Sequence, residues 1–174
     1  MAKLPLKLVQ LISTGAILIA LSLTGAQAQS VQLLGDFKDW SAYSTSQGSG
    51  KLCFVLSKPK SVKPEPKNYK QAYIYLTHRP SENIQYEFNF VAGFTFATNS
   101  EAKLIIGGQS YELFTKDDAA WLADREKSKD VAGQMRAGSS INIAGMTKDN
   151  VNVVQTFSLS GVTAASRSID RACN

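Results

Sequence analysis

"NIQYEFNFVAGFTFAT", residues 83–98, decides the fold. Ile84, Tyr86, Phe88 and Phe90 fall on one side of an extended chain, and Gln85, Glu87 and Asn89 fall on the other. A period of two marks a strand with one dry face and one wetter face, as in an antiparallel sheet.

The same rhythm extends upstream. In "QAYIYLTHRP" (71–80), Ala72, Ile74 and Leu76 alternate with Tyr73, Tyr75 and Thr77. "KLCFVLS" (51–57) reads as a strand entered from the Ser-Gly turn "TSQGSGK". "SVQLLGDFKDWSAY" (30–43) opens the domain with apolar residues on both sides of a Gly-Asp break. Downstream, "AKLIIGGQSYELFT" predicts a hairpin, with Lys103–Ile106 returning through Gly107-Gly108 into Ser110–Thr115. "SSINIAG" and "NVNVVQTFSLS" add two more strands.

Two stretches depart from this rhythm. "KDDAAWLADREKSKDVAGQMRAG" (116–138) holds good helix formers, with Asp117 and Asp118 placed as N-caps and Gly138 as the stop. Gly133 divides it into two short helices or one broken one. At the end of the chain Val162, Ala165, Ile169 and Ala172–Cys173 recur on one face of a helix that begins near Gly161. The expected fold is mainly β: an antiparallel, sandwich-like single domain over residues 29–174, with short peripheral helices including a C-terminal one.

The first residues, "MAKLPLKLVQLISTGAILIALSLTGAQAQS", have the three parts of a secretory signal. Lys3 and Lys7 are its basic region, and an apolar run follows. Ala26-Gln27-Ala28 supplies small residues at the positions a signal peptidase reads. Cleavage is expected near Ala28–Gln29, which removes residues 1–28 and delivers the rest to the periplasm, the outer membrane or the exterior. No second stretch of the sequence is apolar enough to span a membrane. The formal charge of +5 falls to about +3 once Lys3 and Lys7 are gone. So mild an excess gives no reason to expect a nucleic-acid partner.

An exported chain with two cysteines is most simply read as holding one disulfide. Cys53 lies in a strand, and Cys173 sits on the packing face of the last helix, so a Cys53–Cys173 bond would clamp that helix to the sheet. Two buried free thiols, or pairing between molecules, are the alternatives.

Little in the sequence looks catalytic. His78 is the only histidine, and it reads as a half-exposed residue at a strand end. No nucleophile elbow, metal-ligand cluster or phosphate loop accompanies it, so no cofactor is expected. The carboxylate pairs Asp117-Asp118 and Asp124/Glu126 leave an envelope-glycan hydrolase as a minor alternative, although their setting favours capping. The phenylalanines read as core, whereas the tyrosines on opposite strand faces are candidates for an exposed binding cluster. "SKPKSVKPEPKNYK" (57–70) carries Lys58, Lys60, Lys63, Lys67 and Lys70, spaced by prolines that favour an extended loop. Such lysines would attract an anionic envelope lipid or surface glycan; the alternative is an ordinary solvated connection.

The order of these elements resembles the invasion-associated locus B proteins of alphaproteobacteria. The resemblance rests on "GDFKDWSAY", "YEFNFVAGFTF", "AAWLADREKSKDVAGQMRAGSSINIAG" and "QTFSLSGVTAASRSIDRAC". It implies an exported β-rich envelope protein without catalytic residues, tied in pathogenic members to entry into host cells. A periplasmic structural or chaperone-like factor for other envelope proteins is the alternative role. Members often carry a further cysteine shortly after the Asp-Trp pair, where this chain has Tyr43-Ser44-Thr45. Local pairing of the family's kind is therefore not open to Cys53.

Overall fold

The computed structural model describes residues 30–173 except Ser49. The expected signal segment and its cleavage point lie outside the described residues. Eleven strands form one antiparallel sheet among them: β1 (Gln32–Phe37), β2 (Trp40–Gln47), β3 (Gly50–Ser57), β4 (Ser61–Lys63), β5 (Tyr73–Arg79), β6 (Ile84–Val91), β7 (Glu101–Ile106), β8 (Gln109–Lys116), β9 (Ala119–Leu122), β10 (Ser140–Met146) and β11 (Asn152–Ser158). Their spatial order is β1-β2-β3-β5-β6-β9-β8-β7-β10-β11-β4. Two α-helices, α1 (Ser128–Ala137) and α2 (Val162–Cys173), complete the domain.

The sheet folds over on itself, because its dry face runs the whole width of the strand order and has to be buried. Phe90 of β6 meets Phe157 of β11 edge to face, with centroids 6.1 Å apart. Gln155 of β11 donates its side-chain amide to the Ala92 carbonyl beyond β6. The Trp40 indole, at the start of β2, donates to the Ser158 carbonyl at the end of β11. The core between the two halves holds Val55, Ile74, Leu76, Phe88, Leu104, Leu113, Ile141 and Phe157, all but dry. The alternation read in residues 71–91 thus gives the burial pattern of β5 and of the second half of β6.

The hairpin turns as its sequence predicts. Gly107 and Gly108 both take positive φ, 56° and 85°, as a two-residue turn between β7 and β8 requires. The stretch after it differs. Asp117 sits in the left-handed region in the turn between β8 and β9, and Ala119–Leu122 is a strand. Asp117 and Asp118 therefore cap no helix. Residues 119–122 are alternately half-buried and buried, so pairing with β8 and β6 overrides their helix propensity. Helical structure begins at a 3-10 turn, Arg125–Lys127, capped by the Asp124 carboxylate, and runs into α1 as far as Gly138.

Helix α2 packs on β1, β2, β3 and β5 with Val162, Ala165, Ile169 and Cys173 inward. The sulfurs of Cys53 and Cys173 are bonded, with Cα atoms 6.0 Å apart. His78 is the register partner of Cys53 on the neighbouring strand. It is 2% exposed, not half-exposed, because the period of two in β5 carries Ile74, Leu76 and His78 to the same dry face. Its ring meets the edge of Tyr86 at 4.5 Å, and its Nε2 lies 3.6 Å from an Asp170 carboxylate oxygen. The same oxygen accepts a 2.7 Å hydrogen bond from the Tyr86 hydroxyl. Burial against this carboxylate pushes the Tyr86 hydroxyl up to about 12.

Candidate functional site: an uncovered aromatic face

Both helices lie on the inner side of the β1–β6 half, where α2 is bonded to the inward-facing Cys53. The outer side of that half has no helix over it among the described residues. Register fixes what this side carries. Tyr43 of β2 pairs with Phe54 of β3, and Leu56 of β3 pairs with Tyr75 of β5. Tyr43 and Phe54 stack with centroids 5.2 Å apart and nearly parallel planes. Tyr75 lies 6.1 Å from both Phe54 and Tyr73, tilted to each. Four rings thus run side by side over three strands, all of them half-buried. The row reaches the edge of the sheet at Leu33 of β1, the register partner of Tyr43 and 51% exposed.

Such a face usually costs stability in solution unless something covers it, since apolar surface in contact with water is unfavourable. Neighbouring rings have partly desolvated one another: burial raises the Tyr75 hydroxyl above its ordinary value, and Tyr73 beside it adds to the shift. The central strand of the three, β3, is apolar on both sides. Leu52, Phe54 and Leu56 face out while Cys53 and Val55 face in. A strand with two apolar faces is expected where both are covered. "KLCFVLS" carries that signal in its sequence, and it marks Phe54 and Leu56 as members of the face beside the tyrosines.

The lysine segment borders this face. Lys58, Lys60, Lys63, Lys67 and Lys70 are all exposed. The segment is not a free loop, however. Ser61–Lys63 is the short edge strand β4, held on β11, and Tyr69 and the Lys70 amide anchor its far end, the amide donating to the Gly93 carbonyl. Lys58 extends over the Tyr73 ring, 5.9 Å from its centroid. Lys60 is turned to Asp39 in the turn between β1 and β2, and that hydrogen bond holds the Asp39 carboxyl below its usual range. Lys67 and Lys70 line a separate mixed-charge cavity with Asp118 and Asp149. The structure therefore brings Lys58 to the aromatic face and distributes the other four elsewhere along the rim.

The acids read as possible catalysts lie on exposed turns. Asp117 and Asp118 join β8 to β9, and Asp124 and Glu126 belong to the 3-10 turn. Among the described residues no group of three or more His, Cys, Asp or Glu is placed to hold a metal ion. No helix there is long and apolar enough to cross a membrane.

A family model described as "Invasion associated locus B (IalB) protein" matches residues 40–170. A search of curated proteins returns no match. Among solved structures, the fold is similar to a crystal structure of invasion associated protein B from Bartonella henselae. The TM-score is 0.58 at 15% identity, over 80% of this chain and 98% of that one.

Proposed function

We propose, for a chain that belongs to the invasion associated locus B family, an exported and non-enzymatic role in the cell envelope. The protein acts by holding an anionic envelope partner, a lipid headgroup or a surface glycan, on the outer face of β2, β3 and β5. The observation that carries this reading is the uncovered row Tyr43–Phe54–Tyr75–Tyr73 with Lys58 over its last ring. Rings give flat apolar contact at low entropic cost, and lysines around them supply charge. The matched family and the disulfide, a bond that persists in oxidising compartments, support export.

Cosedimentation with anionic vesicles or lipopolysaccharide tests the reading. Each lysine near an anionic surface contributes about 1 kcal/mol at most, so the wild type should bind weakly and lose binding toward about 0.15 M salt. Lys58→Gln should weaken binding about fivefold, and further changes to glutamine at Lys60, Lys63 and Lys67, which lie elsewhere along the rim, should each add less. Equal binding by the wild type and the Lys58→Gln variant, or indifference to salt, would return the segment to a solvated connection.

A further inference from the structure

β6 and β9 fork. Their pairing covers only Asn89–Val91 of β6, and the next residues in register, Phe88 and Leu122, are not paired. Each strand is drawn elsewhere at this point. β9 stays with β8, where the Ala123 amide donates to the Glu112 carbonyl. β6 carries a bulge: between the pairs Thr77–Glu87 and Arg79–Ile84, two residues, Gln85 and Tyr86, stand against the single His78. Tyr86 takes φ 54°, and its hydroxyl is tied to Asp170 of α2. A bulge bends its strand, and bulges are common beside binding sites. The fork holds a cavity of about 290 Å³.

The lining of this cavity is mainly apolar, and two cations accompany it. Phe88 and Leu122, both core residues, lie at the fork itself. Beside them Phe114 and Trp121 stack with centroids 5.4 Å apart and planes 19° from parallel, and Phe114 is 48% exposed. The cations are Lys116, at the end of β8, and Arg125, in the 3-10 turn. Neither forms an ion pair among the described residues. Glu87, the acid in the lining, is already engaged by Arg79 at 2.6 Å. Arg125 is presented by a fixed turn: the Asp124 carboxylate accepts from the Glu126 amide, and the Ser128 hydroxyl donates to the Arg125 carbonyl. Arg125 also borders an adjoining cavity of about 410 Å³ with mostly polar walls.

The geometry points to a binding site for a small aromatic carboxylate: the ligand's ring lies over Phe88 and Leu122 against the flank of the Phe114–Trp121 pair, and Arg125 and Lys116 hold its carboxylate. Size, shape and charge each argue for this occupant. The cavity is at the small end for ligand pockets, which suits a one- or two-ring compound better than a lipid tail or a large cofactor. A wall of two nearly parallel rings favours a flat partner, because aromatic pairs gain from offset or edge-on contact beyond the area they bury. Two cations without partners, beside an acid that already has one, make the lining complementary to an anion. The planar guanidinium of Arg125 matches a carboxylate in particular, since it can offer two parallel N–H donors. This site is separate from the aromatic face of β2, β3 and β5, and it stands or falls independently of the proposed function.

The probe is indole-3-propionate, titrated into the disulfide-bonded protein at low salt and followed by amide chemical shifts. Saturable shifts at Phe88, Phe114, Trp121 and Arg125, with a dissociation constant between about 10 µM and 1 mM, are expected. Indole-3-propionamide, the same ring without the charge, should bind about tenfold more weakly. Arg125→Gln, at an exposed position, should weaken indole-3-propionate by about the same factor and leave the affinity for the amide unchanged. Octanoate, the charge without the ring, should bind at least about fivefold more weakly than indole-3-propionate, and Phe114→Ser should weaken both indole ligands about fivefold. Equal affinity for the amide or for octanoate would overturn the proposal. So would wild-type affinity in Arg125→Gln, shifts confined to Tyr43, Phe54 and Tyr75, or the absence of saturation at millimolar ligand.

Discussion

Gly161, between β11 and α2, has φ +99°, and a Cβ there would sit 1.8 Å from the Phe37 carbonyl oxygen. The chain of β1 passes directly over this position, and the Asp39 amide donates to Ser160 alongside it. Gly161→Ala should therefore cost more than the about 1 kcal/mol of an ordinary glycine replacement, because backbone has to move, and urea denaturation should show a lower midpoint at an unchanged slope. His78 sets a second expectation. Burial lowers its pKa below 6.5, and the opposing pull of Asp170 is the weaker influence. The folded protein keeps His78 neutral while the unfolded chain takes up a proton near pH 6.5, so this contribution to stability is complete above that pH and is lost as pH falls below it. Asp170 from α2, Tyr86 from β6 and Arg136 from α1 are the charged or titratable groups around it. Thermal unfolding between pH 8 and pH 5 should show a loss in the wild type that His78→Gln reduces; an identical pH dependence in both would show that another group titrates.

At the scale of elements, α2 and its bond to β3 are the most consequential feature. The link joins residues 120 apart. In the chain-entropy model, closing so long a loop contributes about 4–5 kcal/mol, the strain-free limit. A Cys53→Ser/Cys173→Ser variant should lose about 3–5 kcal/mol of stability, and amide exchange should rise first along α2. Exchange that rises uniformly would mean that the helix docks through Val162, Ala165 and Ile169 alone. These elements were legible to different degrees. The period of two in β5 and β6 and the helical period of α2 come directly from burial of one face, so both are written in the sequence. β9 was not legible, because "AAWL" is a good helical string and becomes a strand only through partners 30 residues upstream and in the preceding hairpin. His78 was readable in principle, by carrying the alternation of Ile74 and Leu76 one step further.

For the whole molecule, the arrangement of covered and uncovered surface matters most. The chain folds its sheet around one core, and α2 closes the inner side of the β1–β6 half. The outer side keeps its rings in half-contact with water. The tyrosines of that face were visible in the alternation of residues 73–77, but its partners Tyr43, Phe54 and Leu56 come from other strands, and only register unites them. Lys58 was legible as one of five lysines, and its place over Tyr73 was not, because a proline-rich segment leaves its side-chain directions to tertiary contacts. Removing the polar ends of two rings separates binding from folding at this scale. Tyr73→Phe/Tyr75→Phe should leave thermal stability within about 1 kcal/mol of wild type, since neither hydroxyl makes a hydrogen bond among the described residues, while Tyr73→Ser/Tyr75→Ser should abolish vesicle binding.

The most direct test of the aromatic face as the binding surface is hydroxyl-radical footprinting of the disulfide-bonded protein, with and without lipopolysaccharide, at low salt. Protection concentrated at Tyr43, Phe54, Tyr73 and Tyr75, and reversed by salt, is the predicted result. Unchanged reactivity of these four rings in a sample that binds, or protection confined to the exposed residues of α1 and α2, would contradict it.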